Sequence, residues 1–259
     1  MMVPALFLAH GSPMIAIEDT KYTRFLEEFA KTLKPKAIVI FTAHWESETL
    51  AVTYTDEVYE TIYDFGGFPP ELYAIKYEAR GSKELASRLI ERFEKNGIAV
   101  RKETSRGLDH GTWTILHRMY PKADIPVVQI SVHPFLSPKE QFKIGEALQG
   151  LGEEDILVIG AGVTVHNLRM LNWSKSGVEE PEPWAAAFDD WMIEKVQSRD
   201  LDALDRYLEL APAARQAVPR PEHFVPLFLA MGSGDPGRRP EIVHRSYDMG
   251  ALSYLSFRF

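Results

Sequence analysis

Short apolar, β-branched runs alternate along this chain with longer amphipathic stretches, a pattern that few architectures accommodate. Val3 to Ala9, Ala37 to Ala43, Val127 to Val132 and Asp155 to Gly160 read as buried strands. Between them, Tyr22 to Leu33 sets Phe25, Leu26, Phe29 and Leu33 on one helical face, and Ser82 to Lys95 does the same with Leu85, Leu89, Ile90 and Phe93. Alternation of this kind predicts an α/β fold: a central, mostly parallel or mixed sheet covered by helices on both faces, with ligands beyond the carboxyl ends of the strands. The second half is more helical, with helices expected over Trp184 to Gln197, Leu201 to Leu208 and Glu222 to Met231. Ile242 to Arg245 and Leu252 to Phe259 read as strands. The stretches Phe65 to Pro70, Gly177 to Pro183 and Gly232 to Pro240 are too short to be linkers, so residues 1–259 are expected to form one domain.

Composition removes several chemistries. There is no cysteine, which excludes disulfides, thiolate metal sites, iron–sulfur clusters and cysteine nucleophiles, so any metal must be held by His, Asp or Glu. A formal charge of -8 without clustered Lys and Arg argues against nucleic acid as a partner and favours a small molecule. The apolar N-terminus lacks a basic leader, and no run approaches membrane-spanning length, so a cytoplasmic protein without a membrane partner is expected. Oligomeric state is not readable from the sequence.

Chemistry is concentrated in the histidines. His10 follows the first strand and opens His10-Gly11-Ser12-Pro13-Met14, and His44 follows the second in Thr42-Ala43-His44-Trp45-Glu46. Taken singly, either is more readily a hydrogen-bonded histidine at a strand end; two on neighbouring strands would point into one crevice. His166 lies beyond a third strand, after Gly160-Ala161-Gly162, whose glycines suit a tight turn or close approach to a ligand. His223 stands near the start of a helical pattern, and His110 lies in a glycine-flanked loop with Asp109 and Trp113. His117, His133 and His244 are read as solvated surface residues. No phosphate-binding glycine motif and no His-Glu-x-x-His run is present. Neutral imidazoles suit zinc, iron, copper or nickel, and ligand type alone does not choose among them.

Five motifs occur in order: His10-Gly11-Ser12-Pro13-Met14, Ala43-His44-Trp45-Glu46, Asp64-Phe65-Gly66-Gly67-Phe68-Pro69, Gly107-Leu108-Asp109-His110-Gly111-Thr112-Trp113 and His166-Asn167-Leu168. With them the chain resembles the DOPA 4,5-dioxygenase family of class III extradiol dioxygenases, related to the catalytic subunit of protocatechuate 4,5-dioxygenase. The resemblance runs from Val3 to Phe259. It implies a single divalent metal on His10, His44 and His223, with His223 standing where protocatechuate-cleaving relatives use a glutamate. It also implies His166 as acid/base and His110 as a contact to substrate or oxygen. Some members of the family carry zinc on four such histidines, which makes His166 a candidate fourth ligand. Ala161 departs from the serine expected in its turn.

The activity implied is insertion of both atoms of O2 beside the hydroxyls of a catechol-type, DOPA-like diol, with Fe(II) as the working metal and Zn(II) as an alternative occupant. Ser12, Phe65 and Trp113 are candidate substrate contacts, Phe65 on an aromatic Gly-Pro loop suited to wall a pocket. Trp45 is read as core. A zinc-dependent hydrolase with Glu46 or Asp109 as general base is a second reading, and a noncatalytic metal-binding protein on the same fold is a third. Either Arg169 or Arg245 is available in the sequence to meet an acidic substrate.

Overall fold

The computed structural model describes residues 2–259. In chain order its strands are β1 (Leu6–Ala9), β2 (Ala37–Glu46), β3 (Leu50–Thr53), β4 (Val100–Glu103), β5 (Val127–Val132), β6 (Ile156–Gly162), β7 (Glu241–His244), β8 (Tyr247–Asp248), β9 (Leu252–Ser253) and β10 (Ser256–Arg258). Its α-helices are α1 (Lys21–Lys31), α2 (Pro70–Ala74), α3 (Lys83–Lys95), α4 (His110–Met119), α5 (Pro138–Glu146), α6 (Pro183–Gln197), α7 (Leu201–Asp205), α8 (Tyr207–Leu210), α9 (Ala214–Ala217) and α10 (Pro226–Ser233).

An 8-stranded sheet in the order β4-β3-β5-β2-β6-β1-β10-β7 runs through the molecule. Its centre is parallel, through β5–β2, β2–β6 and β6–β1; antiparallel pairing enters at β3–β5, β1–β10 and β10–β7, so the sheet is mixed. The two-residue period of a strand sends alternate side chains to opposite faces. Phe7, Val39 and Phe41 join one core with Leu89 and Phe93 of α3, Phe188 of α6 and Phe228 of α10. Leu6, Leu8, Ile38 and Ile40 join the other with Leu26 of α1 and Trp113 and Leu116 of α4. Helices therefore cover both faces of one domain, and the central strands are apolar on both sides because neither face meets water. Among the described residues no helix is long and apolar enough to cross a membrane.

Several elements differ from the sequence expectation. The strand expected over Val127 to Val132 has those bounds, but β2 continues through His44 to Glu46, and β1 begins only at Leu6. The helix expected from Leu201 to Leu208 is broken at Arg206 into α7 and α8. That expected from Glu222 begins at Pro226, a residue that suits the first turn of a helix because it has no N–H to leave unpaired. The C-terminal segment forms two short strands, β9 and β10, in different sheets. The strands β3 and β4 were not anticipated; β4 is an edge strand reading Val-Arg-Lys-Glu, whose charges imitate a loop. His244 is buried, not solvated: it packs between Tyr22 and Phe25, and its Nε2 lies 2.7 Å from Ser246 Oγ.

Candidate metal centre

Five histidines meet at the carboxyl edge of the central strands. His10 follows β1, and its main-chain N–H donates to Gly162 O at the end of β6 (3.2 Å). The same end of β6 receives the turn before α10: Val163 N–H donates to His223 O at 2.7 Å, and His166 N–H, just beyond, donates to Ala217 O at 2.9 Å. Gly160 and Gly162 make this possible. A Cβ on Gly160 would lie 2.1 Å from Pro226 O, and one on Gly162 would lie 2.3 Å from His223 O. The close approach suspected at these glycines is thus made by the chain's own His223–Pro226 turn. His44 lies in the stretch of β2, between Phe41 and Glu46, where pairing with β5 becomes irregular. His110, expected in a loop, is the first residue of α4, after Asp109 as N-cap.

The side chains converge through particular atoms. His44 Nε2 lies 3.0 Å from His10 Nε2 and 3.3 Å from His223 Nε2. The ring nitrogens of these three lie within 4.8 Å of one another. Carboxylates hold the far sides of two of the rings: Asp64 Oδ2 is 3.1 Å from His44 Nδ1, and Glu222 Oε1 is 3.1 Å from His223 Nδ1. A carboxylate accepts, so it assigns the proton of each neutral ring to Nδ1 and leaves both Nε2 atoms as bare lone pairs facing one another. Such a pair is repulsive without a cation between. Nitrogen ligands about 2.0–2.1 Å from one metal ion stand about 3.0–3.4 Å apart, the separations seen here. The residues therefore fit a single metal ion on His10, His44 and His223.

Burial supports the same reading. His10 and His223 are held well below the ordinary imidazole pKa, first by desolvation and then by the neighbouring imidazoles, so both are neutral, the form that binds metal. Burial also brings His166 down to about 4, against the opposing charge of Glu222, and its ring stacks on that of His223 with centroids 3.6 Å apart. His110 is lowered by burial, offset in part by its hydrogen bond with Asp64, whose Oδ1 is 2.8 Å from Nδ1 and also accepts from the His110 main-chain N–H (3.0 Å). Burial alone would raise the Asp64 carboxyl, yet the hydrogen bonds from His110 and His44 hold it well below the usual carboxylate range.

Of the candidate substrate contacts, Phe65 is half-buried with its ring perpendicular to His110 at 5.4 Å. Ser12 is half-buried and accepts from Met14 N–H at 3.3 Å, capping a short turn. Trp113 is wholly buried, its indole N–H donating to Ile62 O at 2.9 Å, so it supports the aromatic loop from behind and presents no surface to a substrate. Trp45 is core, as read, with the Arg106 guanidinium over its ring. Both carboxylates offered as hydrolytic bases are engaged elsewhere. Glu46 is bound through both oxygens by Arg220 at 2.6 and 2.5 Å, and Asp109 is buried between Thr42 (2.6 Å) and Arg106 (3.1 Å). Arg245 is likewise committed to Asp190 and Tyr247. Asp64 and Glu222, the carboxylates that orient the histidines, carried no sequence signal of that role: Asp64 meets His110 across 46 positions.

An α/β sheet bearing a buried imidazole cluster at its carboxyl edge, suited to one metal ion, defines the class of protein. Comparison with known sequences carries this further. Residues 4–259 match the family described as the catalytic LigB subunit of aromatic ring-opening dioxygenase, and the chain belongs to that family of oxidoreductases. It is 42% identical to the 4,5-DOPA dioxygenase extradiol of Beta vulgaris, over 98% of this chain and 95% of that one. It is 40% identical to the protein of the same name from Escherichia coli (strain K12), over 98% and 93%. A crystal structure of an uncharacterized protein from Escherichia coli K12 superposes with a TM-score of 0.83 at 33% identity, covering 100% of both chains.

Proposed function

We propose that the chain cleaves the ring of a catechol-type, DOPA-like diol with O2, at one Fe(II) held by His10, His44 and His223. The observation that carries this reading is the convergence of three Nε2 atoms with two further histidines, His110 and His166, beside them. When bound, the metal supplies a Lewis acid that acidifies the diol and a redox-active centre for O2, which zinc, without redox chemistry, does not.

The protein's part is to place groups and move protons. His166, neutral at ordinary pH because it is buried, accepts a diol proton and returns it later in the reaction. Its stacking on His223 fixes it beside the metal ligands, where it serves as acid/base in preference to a fourth ligand. His110 donates Nδ1–H to Asp64 and so presents a bare Nε2 toward a substrate hydroxyl. Once protonated there, it is an imidazolium stabilised by Asp64 that donates to oxygen gaining negative charge. The Phe65 ring offers an aromatic wall next to His110, and Ser12 adds a hydroxyl on the turn after His10.

The test is reconstitution of metal-free protein with Fe(II) under nitrogen, followed by air and DOPA or simpler catechols. Oxygen uptake stoichiometric with a yellow ring-opened product is expected. Tight metal binding with no uptake for any catechol, or metal-dependent hydrolysis under nitrogen, would overturn the assignment.

A further inference from the structure

We infer that Asp64 couples the metal centre to the aromatic wall of the substrate site, so that metal loading orders the Phe65 loop. The inference rests on His44 being a metal ligand. Each Asp64 oxygen serves a different histidine: Oδ2 faces His44 Nδ1 (3.1 Å), and Oδ1 accepts from both the Nδ1 and the main-chain N–H of His110. The residue next in sequence is Phe65, whose ring stands against His110 and within 5.4 Å of Phe68 and 5.2 Å of Tyr73.

The surrounding loop has little else to hold it. Ile62 is anchored by its N–H to Leu108 O and by the Trp113 indole on its carbonyl. Among the described residues, no main-chain group of residues 63–68 pairs with another main-chain group. Gly66 and Gly67 are exposed, and a Cβ on either would meet nothing within 4 Å. Beyond the Asp64 carboxylate, the loop is held by the Tyr63 hydroxyl, which donates to Ile75 O at 2.6 Å, and by the packing of Tyr63, Phe65 and Phe68. A cation on His44 Nε2 draws density from the ring and makes Nδ1–H a stronger donor, so the bond to Asp64 tightens when metal binds. By linkage, the ordered loop favours metal binding by the same factor. Metal would then precede the aromatic substrate, because the wall is set only after loading.

Asp64 is a positioning residue in this scheme, and Zn(II), redox-inert, is the probe. Hydrogen–deuterium exchange across residues 62–69 is followed in wild type and Asp64→Asn, with and without stoichiometric Zn(II), alongside Zn(II) affinity. Asparagine keeps the size of the side chain but can no longer accept from both histidines. In wild type, Zn(II) should slow exchange in this segment by roughly tenfold. In Asp64→Asn the slowing should vanish and Zn(II) affinity should fall about 10–100-fold. With Fe(II), the variant should lose on KM for the catechol through the loosened wall and on kcat through the lost partner of His110. In Phe65→Leu, which loosens the wall, Zn(II) affinity should fall by no more than the roughly tenfold coupling factor. Equal slowing in wild type and Asp64→Asn, or none in wild type that binds Zn(II) stoichiometrically, overturns the coupling while leaving the metal site intact. Failure of wild type to bind Zn(II), or binding that survives His44→Ala, overturns the metal assignment itself.

Discussion

Two of the buried polar assemblies in this molecule are built on opposite plans. Around Asp189 of α6, one carboxylate receives every hydroxyl that faces it: Thr164 donates to Oδ1 at 2.6 Å, and Tyr247 and Ser253 donate to Oδ2 at 2.8 and 2.6 Å. Donors and acceptors match, and the cluster joins the end of β6 to β8, β9 and α6. At the histidine centre, donors and acceptors do not match. Two carboxylates take the Nδ1 protons of His44 and His223, and the Nε2 lone pairs are turned on one another. A buried network that satisfies itself makes structure. One that leaves bare lone pairs converging suits a metal ion, and the contrast between the two is open to experiment.

The largest effect is expected at the converging nitrogens. His10→Ala, His44→Ala and His223→Ala should each abolish stoichiometric metal binding and lower ring-cleaving activity by at least roughly 10³-fold, well beyond the 10–100-fold typical of losing an orienting partner. Metal analysis after dialysis reads this directly, and a variant that retains tight metal would remove that histidine from the ligand set.

His166→Ala tests the next rank. Activity should fall by about 10²–10⁴ through kcat, the range for a lost acid/base group, with metal content unchanged. Loss of metal in this variant would instead make His166 a fourth ligand.

The self-satisfied cluster should respond in the opposite sense. Asp189→Ala leaves three buried hydroxyls without their acceptor and should cost about 3 kcal/mol in urea unfolding, while the folded variant still binds one metal ion. Because Thr164 lies two residues before His166, a drop in kcat without metal loss would add a positioning role to the structural one.

The smallest effect concerns His244. Burial lowers its pKa from 6.5 to about 4. Between those values the unfolded chain binds more protons than the folded one, so this contribution to stability is complete above pH 6.5 and lost as pH falls toward 4. After allowance for solvent screening it is worth on the order of 1–2 kcal/mol. In His244→Phe, the decline in stability between pH 6.5 and 4 should be shallower than in wild type by that amount. Parallel profiles would show that His244 does not carry this dependence.

How far the sequence could be read depended on the kind of signal. β5, buried on both faces, has the bounds its apolar run predicts, because such a run has no other stable place. The face of α3 is legible for the same reason: Leu85, Leu89, Ile90 and Phe93 are all buried, while Ser82, expected as its first residue, caps the helix. Edge strands were illegible, since β4 needs only its main chain to pair and its side chains are free to be charged. His244 was misread because nothing local distinguishes a buried histidine from a solvated one; its partners Tyr22 and Phe25 lie in α1, more than two hundred positions away.

By itself, then, the sequence determined the layered α/β plan, the absence of thiolate chemistry and the identity of the histidines, because these follow from local periodicity, composition and ordered motifs. Only the tertiary structure decided which nitrogen of each ring faces its neighbours, that Asp64 serves two histidines at once, that Trp113 supports a loop from behind and that Glu46 and Asp109 are committed to arginines. Those are properties of contacts between residues distant in the chain. Their free energies depend on burial and on a few tenths of an ångström, which no local pattern of residues encodes.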